Sequence, residues 1–100
     1  EVYELHFQEG FGGETVEVLV DGVVAARFEA RTRNQIGLAH IEKLELSPGQ
    51  EVTVRLQRPP ICKKFRLTKA NRFAKVNLRE KETEGGALHV DLADVAPGYV

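Results

Sequence analysis

The chain has 100 residues, enough for one domain with a single core that needs no disulfide staples. Hydrophobic residues at 42%, charged residues at 29% and a net charge of −1 lie near globular averages and exclude intrinsic disorder. No apolar run approaches the length of about 20 residues needed for a membrane-spanning helix, and the single cysteine, Cys62, excludes an intrachain disulfide.

Period-two alternation dominates the chain wherever a pattern exists. In VYELHFQ, Tyr3, Leu5 and Phe7 share one face and Glu4, His6 and Gln8 the other, which predicts a half-buried strand. QEGFGGET follows as a glycine-rich connection, with Phe11 placed to fold back over the core. TVEVLVD is a second strand with Val16, Val18 and Val20 inward, and Asp21-Gly22 is a strong hairpin signal. A two-residue loop would pair Val16 with Arg27, so parity favours a three-residue loop, Val20 to Gly22, pairing Val18 with Val24, Val16 with Ala26 and Glu14 with Phe28.

ARTRNQIG has no period and reads as a polar connection crossing between sheets. LAHIEKLEL mixes helical and strand spacing; it is expected to be a strand with a bulge near Glu42, because SPGQ then forms a tight turn. EVTVRLQ points Val52, Val54 and Leu56 inward, and Pro59-Pro60 marks an edge or a crossing loop. Phe65 and Leu67, then Ala74, Val76 and Leu78, then Leu88, Val90 and Leu92 supply the remaining inward positions, with turns at KANR and KETEGG. Seven to eight short strands at this spacing predict a single all-β domain over residues 1–100, an antiparallel β-sandwich.

The charge is segregated along the chain. Residues 1–54 carry ten acids and four bases, residues 55–81 one acid and ten bases, and residues 82–100 four acids. Alternation turns Arg55, Lys64, Arg66, Lys75 and Arg79 outward, and adjacent strands would merge them into a positive face for phosphates, an acidic protein or an anionic polymer such as nucleic acid. The competing expectation is a neutralised surface in which Glu17, Glu45 and Glu51 offset these cations.

Motifs for catalysis are missing: there is no nucleophile elbow, P-loop or dinucleotide fingerprint, and His6, His40 and His89 have no zinc-like spacing. No cofactor and no metal is expected from them. His6 and His40 are expected to be partly exposed, and His89 to lie beside Asp91 on an outer face. Cys62 reads as a small apolar filler at the sandwich edge, the alternative being a thiol activated by Lys63 and Lys64. In the first loop, Glu9, Gly10, Phe11, Gly12, Gly13 and Glu14 combine flexible backbone with two carboxylates. A calcium ion there would need further ligands, from Asp91 and Asp94 or Glu82 and Glu84.

The stretch YELHFQEGFGGETVEVLVDG, with the linker RTRNQIGLA and the terminal PGYV, resembles small bacterial proteins of uncharacterised function. That resemblance implies one all-β domain and supplies no site residues, and the basic run from Arg55 to Lys81 departs from its pattern. GGETVEVLVDGVVAARFEA is similar, more distantly, to the opening hairpin of calcium-dependent xylan-binding sandwich modules, which implies sugar binding through a metal.

The sequence therefore leads to a non-enzymatic β-sandwich that recognises a protein partner or a second copy of itself. Calcium-dependent carbohydrate binding and anionic-polymer binding are the alternatives. No signal-peptide pattern or membrane segment is visible, so the expected location is cytoplasmic, though a processed export signal would leave no trace.

Overall fold

In the computed structural model, residues 1–33, 35–57, 60–79, 87–95 and 97–98 are described. Eight strands follow in order: β1 Val2–Phe7, β2 Gly12–Val20, β3 Val23–Arg31, β4 His40–Glu45, β5 Glu51–Leu56, β6 Ile61–Arg66, β7 Phe73–Arg79 and β8 Ala87–Ala93. They form two four-stranded sheets, ordered β4-β1-β7-β8 and β3-β2-β5-β6. The two pack as a β-sandwich, as the alternation predicts. One pair departs from an all-antiparallel arrangement: β1 and β7 run parallel, Leu5 beside Ala74 and Phe7 beside Val76.

The inward positions meet in one core, except Leu92, which lies near the end of edge strand β8 and is 40% exposed. Tyr3, Leu5 and Phe7 of β1 pack with Val16 and Val18 of β2, Val52 and Val54 of β5, Leu67, and Ala74 and Val76 of β7. Tyr3, Leu5, Phe7, Val16, Val18, Val52, Val54 and Val76 are fully excluded from solvent. Each buried side chain of this size contributes about 1.5–3 kcal/mol of hydrophobic stabilisation. Phe11 folds back as expected, edge-on to Phe7 at 5.9 Å between ring centres and 4% exposed.

The β2–β3 hairpin keeps the expected parity by a different device. Val20 pairs with Val23, so the loop has two residues, Asp21 and Gly22, with φ of +48° and +83°. Positive φ at both centres is the type I′ geometry whose twist matches the flanking strands. The register then slips, because Leu19 pairs with Val24 and Val18 with Ala26, leaving Ala25 as an extra residue on β3. That bulge puts Phe28, not Arg27, beside Val16. A second bulge on β2, at Gly13 with φ of +106°, lies between Gly12 opposite Arg31 and Glu14 opposite Ala30. The hairpin tip is tied down by Asp21, whose carboxylate accepts hydrogen bonds from Gln50 Nε2 (2.9 Å) and the Glu51 amide (3.0 Å). Those bonds lower the Asp21 pKa.

β4 corrects another expectation. It pairs with β1 residue for residue from Glu45 beside Val2 to His40 beside Phe7, with no bulge at Glu42. Unbroken alternation turns Ile41 outward and sends His40 and Glu42 toward the open corner of the sandwich, where their side chains bond to each other at 2.9 Å. His40 also stacks on Phe28 of the opposite sheet, ring centres 3.8 Å apart. The residue 32–39 connection does cross between sheets, and the SPGQ turn carries Gly49 at φ of +90°. Pro59 and the KETEGG segment lie outside the described residues.

Two single-residue expectations also change. His6 is 3% exposed rather than partly open, because it sits at the centre of its sheet, bonded to Glu4 (2.9 Å) and edge-on to Phe73. Cys62 is exposed: its place opposite Arg55 puts it on the solvent face of β6, where it fills no gap.

Candidate functional site

The outer face of the β3-β2-β5-β6 sheet carries the most organised polar arrangement among the described residues. Parity places Arg27 of β3, Glu17 of β2, Arg55 of β5 and Cys62 of β6 in one row across all four strands, each the register partner of the next. Directly opposed side chains in such a row are about 5 Å apart at Cβ, close enough to pair. Glu17 Oε2 accepts hydrogen bonds from Arg27 Nε at 3.0 Å and from Arg27 NH2. Its other oxygen, Oε1, accepts from Arg55 Nε and NH2 at 3.1 and 2.8 Å and from Gln57 Nε2 at 3.3 Å.

Glu17 is therefore a buried carboxylate on a solvent-facing sheet, 1% exposed, while the Arg27 and Arg55 side chains remain 62% and 44% exposed. Hydrogen bonds from Arg27 and then Arg55 outweigh the cost of burial and hold its pKa at about 2. Leu19 and Thr53, register partners in the adjoining row, are buried as well, so the centre of this face is dry. No buried side-chain polar atom among the described residues lacks a hydrogen-bond partner.

Two depressions border the row, both on the side toward Thr15, Gln57 and Pro60. An open groove of about 490 Å³ is lined by Gly12, Gly13, Glu14, Thr15 and Gln57. Gln57 belongs to both features, since it lines the groove and bonds Glu17. A smaller hollow of about 160 Å³ lies toward β6, between Arg55, Leu56, Pro60, Ile61 and Cys62.

The five cations expected to converge are divided. Arg55, Lys64 and Arg66 lie on the outer face of the β3-β2-β5-β6 sheet, whereas Lys75 and Arg79 lie on the other sheet, whose outer face points the opposite way. The reason is topological: after β6 the chain crosses the sandwich, so β7 is not a neighbour of β6. Arg66 is engaged by Glu51 (3.8 Å) and the Gly49 carbonyl, and Lys75 faces Asp91 across the β7–β8 ladder. Glu17 and Glu51 do neutralise this face in part, as the competing expectation has it, while Glu45 pairs with the amino terminus at 2.8 Å.

In the first loop, the candidate ligands turn away from one another. Glu14 Oε1 accepts the Gly12 amide at 2.6 Å, and the Glu9 carboxylate reaches toward Gly37. Backbone groups are spoken for: the Phe11 amide donates to Thr32 Oγ1 (3.0 Å), which donates to the Gln8 carbonyl (2.7 Å). Asp94 follows the end of β8 that pairs with Phe73, remote from the loop, which docks at Leu78. Glu82 and Glu84 lie outside the described residues. Among the described residues no group of three or more His, Cys, Asp or Glu side chains has the geometry to hold a metal ion. Gly12 and Gly13 belong to β2 itself, so the connection is short and its glycines serve a bulge and a tight approach.

Arg27 is not legible as a site residue from the chain alone, and Glu17 is legible only as a neutralising charge. The signal that finds them is the cross-strand register, which needs the Ala25 bulge to bring Arg27 opposite Glu17. No family model matches the chain, and neither a curated protein nor a solved structure matches it.

Proposed function

We propose that this domain is a non-catalytic interaction module that recognises a protein partner through the outer face of its β3-β2-β5-β6 sheet. The observation that carries the reading is the pair of arginines fixed on one buried carboxylate. Arginine side chains normally lose considerable rotamer entropy on binding. Arg27 and Arg55 have already lost much of it to Glu17, yet both stay open to solvent. A rigid, amphipathic, donor-rich surface of this kind is what protein interfaces select. Dispersal of the other cations over opposite faces disfavours a continuous polyanion track. Phe65 packs against the core and Phe73 belongs to the other sheet, so neither supplies a base-stacking aromatic on this face.

The test is a ¹⁵N-labelled domain titrated with clarified lysate of the native host, followed by amide line broadening. The expected result is broadening confined to outward residues of β2, β3, β5 and β6, removed when the lysate is digested with protease and retained after nuclease. Broadening that maps elsewhere, or that nuclease removes, overturns the proposal.

A further inference from the structure

We infer that Arg27 and Arg55 form a preassembled clamp for a carboxylate of an acidic polypeptide segment, with Glu17 as the positioning residue; this rests on the interaction reading above and names the chemistry of the contact. Each guanidinium gives its Nε and NH2 to one oxygen of Glu17. A guanidinium has five N–H donors, so donors on NH1 and the second hydrogen of NH2 remain for a further acceptor on each arginine. Because the two arginines flank the same carboxylate from the strands on either side, both present their spare donors on the same face of the sheet, within one row. Two cations around one buried anion leave this patch a net charge of +1, which suits a single carboxylate.

The surroundings select among anions. Glu29 and Thr15 occupy the next row toward the groove, and Glu51 lies on the same face beside Arg66. Closely spaced phosphates or sulfates would meet those carboxylates, whereas successive side chains of an extended acidic polypeptide point to opposite sides, so that one carboxylate enters and its immediate neighbours turn away. The 490 Å³ groove begins at Gln57, the residue that touches Glu17, and its polar walls of Gly12, Gly13, Glu14 and Thr15 offer room for the chain that flanks the bound acid. Lys64 is exposed one row away on β6 and provides a second, longer-range attraction for an acidic segment.

The experiment follows the Arg27 and Arg55 Nε–H resonances of the ¹⁵N-labelled protein during titration with N-acetyl-triglutamate amide. Triglutamine amide, orthophosphate and a heparin oligosaccharide serve as comparison probes. Triglutamate is expected to shift both resonances saturably and triglutamine to leave them unmoved. Arg27→Lys and Arg55→Lys are each expected to weaken binding about tenfold, because lysine cannot reproduce the fixed fork. Glu17→Gln separates positioning from simple charge. It raises the net charge by one, so mere attraction makes binding equal or tighter, whereas loss of the pinning carboxylate makes it about tenfold weaker. Glu29→Gln adds the same charge without touching the arginines and is expected to bind at least as tightly as the parent.

Unmoved arginine resonances, equal or tighter binding by Glu17→Gln, or heparin competing at lower concentration than triglutamate overturns the clamp. If Glu17→Gln does not fold, judged by circular dichroism, the two lysine variants decide the matter alone. The two proposals fail separately. Lysate broadening on this face without a triglutamate response removes the clamp and leaves the interface, and a triglutamate response with broadening elsewhere does the reverse.

Discussion

Gly10 gives the sharpest test of whether the first loop is a structural joint. Its φ is +91°, and a methyl group there would lie 1.7 Å from the Leu78 carbonyl oxygen and 2.7 Å from the carbonyl carbon. Both atoms are backbone, so no side chain can swing aside. Forcing a β-carbon into a left-handed conformation costs about 1–2 kcal/mol. Relieving the overlap requires the loop to part from β7, which weakens the Leu78 amide to Glu9 carbonyl bond and the Glu9 amide to Asn77 Oδ1 bond, both 2.9 Å. Each such bond contributes about 1 kcal/mol net. Gly10→Ala is therefore expected to destabilise the domain by about 3–4 kcal/mol. For a domain of this size that corresponds to a fall in Tm of roughly 12–30 °C.

Gly49→Ala is the matched control. Gly49 has nearly the same φ, +90°, and a methyl group there would meet nothing within 4 Å, so only the conformational cost of about 1–2 kcal/mol applies. Thermal and urea unfolding followed by circular dichroism measure both variants. If Gly10→Ala is no more destabilising than Gly49→Ala, the close approach of the loop to β7 is not what the glycine is there for.

Three further outcomes follow from particular side chains. Glu17 has a folded-state pKa of about 2, below the ordinary 4.5, so its contribution to stability is present above pH 4.5 and lost as pH falls toward 2; urea midpoints across that range should fall more steeply for the parent than for Glu17→Gln, and parallel curves would refute the assignment. Calcium and EDTA are both expected to leave Tm unchanged, because Glu14 is committed to the Gly12 amide and Glu9 points elsewhere; a ligand at a hundredfold excess over its Kd would stabilise by about 2.7 kcal/mol, so a clear upward shift with calcium counts against this geometry. Cys62, on the solvent side of β6, should react with Ellman's reagent in native buffer about as readily as in urea, and a requirement for denaturant would contradict its exposure.

Most of the fold can be read from the chain because period two is a local signal. Val16, Val18, Val52, Val54, Ala74 and Val76 each announce their own face, and all six are buried. Local devices that restore the same parity cannot be told apart from sequence. A three-residue loop and a two-residue loop followed by the Ala25 bulge both keep Val16 and Val18 inward, and choosing between them needs the pairing of Leu19 with Val24. In β4, the expected bulge rests on the mixed helical and strand spacing of LAHIEKLEL. The chain instead keeps perfect alternation, exposes Ile41 at 37%, and satisfies the two polar residues thereby turned inward, His40 and Glu42, with each other.

The candidate site is less legible, and for a physical reason. Alternation says which residues leave the core; only strand order says which of them meet. Arg55 and Lys75 have the same outward parity, yet the crossing between β6 and β7 puts them on opposite sides of the molecule. Glu17 and Arg27 lie ten residues apart and Glu17 and Arg55 thirty-eight, and the three become neighbours because β2 is flanked by β3 and β5. Once they do, a charge that would be solvated on an isolated strand becomes a buried one with both oxygens filled. A buried carboxylate tolerates the loss of a partner poorly. The same geometry that makes Glu17 invisible to composition thus makes it the residue whose substitution should disturb the arginines most.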